Sequence, residues 1–168
     1  MNAAALTLSP AQIAFITGDV TMYVAAADAD LTPHIARGAG CRVDATGHRI
    51  AVLLSASRAA DLLAAVRAQR TLAVVFTQPG NHTALQLKTH AADIVETEPD
   101  DIALLAAYRA RIIAHIAPLG FTAETLRAVF TVAVDDIAAV HFTPHAAFDQ
   151  TPGPNAGSAL PASATRPA

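Results

Sequence analysis

Two hydrophobic rhythms alternate along the chain. Ser9-Pro10-Ala11-Gln12 reads as a helix start, with Ser9 capping free amides, Pro10 in the first turn and Gln12 completing a capping box. The predicted helix spans Ala11 to Thr17 and stops at Gly18. Val20 to Ala27 is then apolar and partly β-branched, and Pro33 to Val43 and Arg49 to Ser55 read as second and third strands. The turns Asp28-Ala29-Asp30 and Asp44-Ala45-Thr46-Gly47 separate them, which predicts a meander of three strands. Next the period becomes helical: Ser57 caps a helix from Arg58 to Gln69 with Leu62, Leu63 and Val66 on one side.

Thr71 to Thr77 and Thr83 to Val95 return to strand character, joined by the loop Gln78-Pro79-Gly80-Asn81-His82. Thr97-Glu98-Pro99-Asp100 places acids where a helix dipole favours them, and that helix is predicted to reach Pro118 before Gly120 breaks it. A short helix from Thr122 to Val129 and a last strand from Ile137 to Thr143 follow. Six strands with one helical crossover and a helical insertion at about 98–130 predict a mainly β (α+β) domain over residues 1–150. Short hairpin connections favour an antiparallel barrel over a doubly wound sheet. From Thr151 the chain is Pro, Ala, Gly and Ser with Arg166 as its one charge, so residues 151–168 are expected to form a flexible tail.

Composition narrows the chemistry. Of the 168 residues, 53% are hydrophobic and 15% charged, which excludes disorder for the body of the chain. The net charge of −3 and the absence of any Lys/Arg block point away from nucleic acid. The single cysteine, Cys41, excludes an internal disulfide and a cysteine zinc site, and reads as a small core hydrophobe. The N-terminus lacks the basic and apolar regions of a signal peptide, and the apolar runs are too short to span a bilayer. The expectation is a cytoplasmic protein with no membrane partner. No P-loop, G-x-S-x-G elbow or H-E-x-x-H motif is present, and no metal site is expected.

Three features attract anions. Strand alternation puts Ile35, Arg37, Ala39, Cys41 and Val43 on one inward face, where Arg37 needs an anionic partner; Gly38 and Gly40 beside it mark a bulge or a close approach. Ser55-Ala56-Ser57-Arg58 joins hydroxyls, free amides and a guanidinium at a helix start. Gln86, Lys88 (the only lysine) and His90 share one face of their strand. Together they point to a phosphate-bearing ligand.

In order and spacing these residues resemble the pyridoxamine 5′-phosphate oxidase-related family of FMN-binding split barrels. That family carries an arginine in an early strand, a strand ending in Ser/Thr, a helix opening Ser-Arg/Lys, and later a Gln-x-Arg/Lys strand. Arg37, Ser55, Ser57-Arg58 and Gln86-Leu87-Lys88 match in turn, across roughly residues 8–155. The resemblance implies a six-stranded split barrel, a homodimer, and FMN bound at the dimer interface. By carry-over, Arg37, Ser57, Arg58 and Lys88 contact the phosphate or ribityl chain, Gln86 the flavin, and Ser55 the region near the ring. It further implies an oxidoreductase using a small-molecule substrate or a nicotinamide reductant, the flavin carrying the chemistry without a dedicated catalytic acid or base.

The family's glycine after the Gln-x-Lys strand is here Thr89-His90, and the C-terminal Arg-x-x-Pro-x-Arg of the authentic oxidase is absent; pyridoxamine phosphate is therefore not the expected substrate. Alternatives are a split barrel binding F420, one binding haem through His90, His141 or His145, or a dimeric binding module without cofactor.

Overall fold

The computed structural model describes residues 6–161; the first residues of the N-terminus and residues 162–168 of the tail lie outside the described part. Its elements are α1 (Pro10–Ile16), β1 (Thr21–Ala27), β2 (Pro33–Val43), β3 (Ile50–Ser55), α2 (Ala60–Gln69), β4 (Leu72–Thr77), β5 (Ala84–Thr89), β6 (Ala92–Val95), α3 (Asp101–Ile116), α4 (Ala123–Phe130), β7 (Ile137–Phe142) and β8 (Ala146–Asp149). Short 3₁₀ turns at Ala117–Leu119 and Val134–Asp136 follow α3 and precede β7. All strand pairs are antiparallel, in the order β6-β7-β3-β2-β1-β4-β5-β8.

The sheet has eight strands where the sequence pattern predicts six. The run from Thr83 to Val95 is broken: β5 ends at Thr89, whose hydroxyl donates to Thr143 O and accepts from the Ala91 amide. The chain turns there, so β6 pairs with β7 at one sheet edge while β5 pairs with β8 near the other. The second addition, β8, is four residues long and follows Thr143-Pro144. Beyond β8 the chain doubles back, with the Leu160 amide donating to Ala147 O at 2.8 Å and a bridge between Phe148 and Ala159.

The capping box of α1 forms as the sequence predicts, Ser9 and Gln12 exchanging side-chain and backbone bonds. Ser57 does not cap α2, whose first flanking residue is Ala59 with no side-chain bond; the hydroxyl of Ser57 is held elsewhere. The core lies on the concave side of the curled sheet, where α2 packs on β1, β2 and β6. Met22, Val24, Val52, Leu54, Val74, Phe76 and Leu87 supply its sheet side, and Leu62, Leu63 and Val66 its helix side. Helices α3 and α4 pack together, with α3 lying on β2. Arg42 Nε donates to the fully buried Asp101 at 2.8 Å, and Arg42 also meets Glu98 and His141. This network ties the start of the helical insertion to the sheet.

A bulge in β2 decides which residues face the core. Gly38 pairs with Leu54 and Gly40 with Leu53, leaving Ala39 as an extra residue. Alternation therefore skips one step. Cys41 lies in the core, its thiol pushed up to about 12 by burial, whereas Arg37 stands on the opposite face. The predicted inward placement of Arg37 is thus incorrect: an unbroken strand would have sent a cation into the apolar core, and the bulge avoids that cost. Gly38 is required at this point, because a methyl group there would come within 2.7 Å of the Met22 Cβ.

Candidate functional site

The outer face of the sheet carries the candidate residues in adjacent rungs. One rung runs Arg37–Tyr23–Val75–Gln86–Phe148 across β2, β1, β4, β5 and β8. Beside it runs Ile35–Ala25–Ala73–Lys88–Ala146. Directly opposed residues in antiparallel strands share a face, so Arg37, Gln86 and Lys88 all project from one surface. That surface is open: Ile35 is 66% exposed and Tyr23 42%. Three strand spacings separate Arg37 from Gln86, about 14 Å.

The Arg37 guanidinium lies between two rings, 5.1 Å from the centre of Tyr23 and 5.0 Å from that of Phe130, both cation–π contacts. Among the described residues no carboxylate pairs with it. A cavity of about 260 Å³ opens beside it, bounded by Arg37, Gly38, Ala39, Ser55, Arg58, Val129 and Phe130. Two of the three predicted anion features, Arg37 and the Ser55–Arg58 stretch, therefore meet in space.

Asp136 is the residue that sequence reasoning missed. Its carboxylate accepts from the Ser55 hydroxyl, from the Ser57 hydroxyl at 2.9 Å and from the Ser57 amide at 2.7 Å. Its pKa is held below the ordinary carboxylate value, first by the Ser55 hydrogen bond, then by the two bonds from Ser57, with Arg58 adding charge. Arg58 donates to Thr131 O at 3.2 Å, on the segment leading to Asp136. An acid just before a strand reads as turn chemistry, and nothing local announces a partner 79 residues away. Helix α4 was likewise legible as a helix, but not as the wall that brings Val129 and Phe130 to Arg37.

Gln86 and Lys88 stand apart from that cavity. Gln86 Oε1 accepts from Gln150 Nε2 at 3.2 Å, and Lys88 Nζ lies 4.9 Å from the Phe148 ring. At the end of β5, His90 and His145 stack with ring centres 4.1 Å apart. Burial, then the neighbouring His90 and Lys88, keep His145 below the usual histidine pKa. Among the described residues no cluster of three or more metal-ligating side chains occurs.

Solved structures share this architecture. The chain superimposes on HupZ of Group A Streptococcus with TM-score 0.56 and 13% identity, covering 89% of this chain and 100% of HupZ. It also superimposes on a Lactobacillus delbrueckii protein provisionally named as a pyridoxamine 5′-phosphate oxidase, with TM-score 0.50 and 14% identity over 84% and 93% of the two chains. The fold is that of the pyridoxamine 5′-phosphate oxidase-type split barrels. No protein-family model and no curated protein matches the sequence. At this identity the likeness establishes the split barrel and leaves its ligand to the residues present.

Those residues fit a phosphate-bearing cofactor such as FMN in part. Arg37 and Arg58 line one cavity and supply positive charge, and Gln86 and Lys88 lie farther along the same face of the barrel as Arg37. The hydroxyls of Ser55 and Ser57, by contrast, are already donated to Asp136.

Proposed function

We propose that this split barrel binds FMN at a homodimer interface and serves as an oxidoreductase acting on a small molecule, with a nicotinamide or organic electron donor. The observation that carries this reading is the placement of Arg37, Gln86 and Lys88 on one open sheet face that continues into the cavity of Arg58. Arg37 and Lys88 stand on strands three spacings apart, their charged heads on Phe130 and Phe148, too far from each other to grip one phosphate within a single chain. Two copies facing each other across this surface complete each other's site, one supplying Arg37, Ser57 and Arg58, the other Gln86 and Lys88. Ser55 contributes near the ring. Tyr23, Ile35 and Val75 give the apolar contact such a dimer needs. Bound FMN supplies hydride and single-electron transfer through its ring system. A cytoplasmic setting accords with the single, buried thiol.

The test is a visible spectrum after mixing with FMN and desalting. A retained two-band flavin spectrum in the wild type, lost in Arg37→Ala and in Lys88→Ala while light scattering still reports a dimer, is the expected result. Both variants retaining flavin as tightly as wild type rejects the assignment.

One observation favours a second reading. Asp136 fills the hydroxyl cluster with an internal carboxylate, as expected of a barrel that serves as a dimeric binding module without cofactor. That reading predicts a colourless protein that ignores added FMN and remains dimeric.

A further inference from the structure

A second cavity, of about 300 Å³, lies on the other side of Arg37 and Phe130. Its walls are apolar: Ile116 at the end of α3, Leu119 and Phe121 in the connecting turn, and Val129 and Phe130 on α4. Leu119 and Phe121 remain 51% and 55% exposed, so the insertion holds a partly open apolar basin over the sheet. Its volume is at the lower end of the roughly 300–1,000 Å³ of small-molecule sites. Arg37 is its cation, with no carboxylate paired to it among the described residues.

We infer that this basin binds a small apolar carboxylate, its hydrocarbon body among Ile116, Leu119, Phe121 and Val129 and its carboxylate on Arg37. Apolar walls with one convergent charged group are how a pocket binds a hydrophobic body and fixes its direction. A half-buried guanidinium packed between two rings is partly stripped of water and oriented, so an anion meeting it gains a charge-assisted, two-pronged hydrogen bond. The neutral analogue gains only the apolar contact. The basin is complete on one chain, and the inference goes beyond the flavin reading: Leu119 and Phe121 do not border the cavity of Ser55 and Arg58.

The absence of tryptophan leaves a clear window for a fluorescent probe, here 2-naphthoate compared with neutral 2-naphthol at pH 7. The expected result is at least tenfold tighter binding of naphthoate, a margin that vanishes in Arg37→Gln. Phe121→Ser and Leu119→Ser, both at exposed positions, should weaken both probes at least fivefold while leaving FMN retention as in wild type. Equal binding of the two probes to the wild type, or a margin that survives Arg37→Gln, overturns the inference. Dissociation of a dimer by Phe121→Ser also overturns it, by making the basin a subunit contact. FMN retained without naphthoate binding rejects the carboxylate site alone, and naphthoate bound without FMN retention rejects the flavin alone.

Discussion

Arg42 donates through Nε to Asp101 at 2.8 Å, joining the second strand to the first residue of α3 where the carboxylate has no exposure to solvent. The second Asp101 oxygen accepts from the Glu98 amide, so the buried charge has partners on both sides. Removing Asp101 deprives the Glu98 amide and Arg42 Nε of a charged acceptor but leaves Arg42 paired with Glu98, a loss of about 1.5–3 kcal/mol, the range for hydrogen bonds to a charged group. Asp101→Ala is expected to destabilise the fold by that order and to loosen the insertion first. Urea denaturation followed by circular dichroism gives the loss of stability, and hydrogen exchange in α3 gives its location. A midpoint equal to the wild type would show that the pair does not anchor the helix.

Acidification should weaken the protein before any carboxylate titrates. His141 is held below the ordinary value of 6.5, by burial first and then by the Arg42 and Arg49 charges, and its Nε2 accepts from Arg42. His145 is depressed as well. A histidine harder to protonate when folded lets the unfolded chain take up protons first. The stability is therefore full above about pH 6.5 and declines as the pH falls through that value. Thermal melts between pH 8 and pH 5 should show the decline, and His141→Gln combined with His145→Gln should flatten it. An unchanged slope in the double variant would remove these two histidines from the account.

Ile35 tests the sheet face as a subunit contact. It stands 66% exposed in the rung next to Arg37, and its side chain contributes nothing to the core cluster. Ile35→Asp should leave the melting temperature of the monomeric fold within a few degrees of wild type. It should also shift the mass from dimer to monomer in light scattering. A dimer that tolerates this charge lies on some other surface.

Asp136 competes with any phosphate for Ser55 and Ser57, and adds a negative charge beside Arg58. Asp136→Asn retains a hydrogen-bonding side chain and removes the charge. FMN should then bind at least tenfold more tightly, measured by quenching of flavin fluorescence. Unchanged or weaker binding would mean that the phosphate never reaches the serines.

Much of the fold was legible in the sequence because it is locally encoded. The α1 capping box, the start of α4 near Thr122 and the bounds of β2 follow from residues within a few positions of one another. The two additional strands were hidden for different reasons. The break at Thr89 depends on a hydroxyl contact with Thr143, 54 residues away, and β8 is too short to show a period. The candidate site follows the same division. The anion-attracting residue types were visible, and so was the glycine pair that marks the bulge. The hold of Asp136 on the serines and the Phe130 ring over Arg37 exist only once the insertion has folded back on the sheet.

The extra residue at Ala39 acts as a phase shift along β2. Before it, the odd-numbered positions Ile35 and Arg37 belong to the outside world; after it, the odd-numbered Cys41 belongs to the core. The outward-facing half of the strand can therefore exchange residues without disturbing the half that holds the fold together. Forcing Ala39 into regular pairing would put the two halves in a single register, and the strand could then satisfy the core or the open face, but not both.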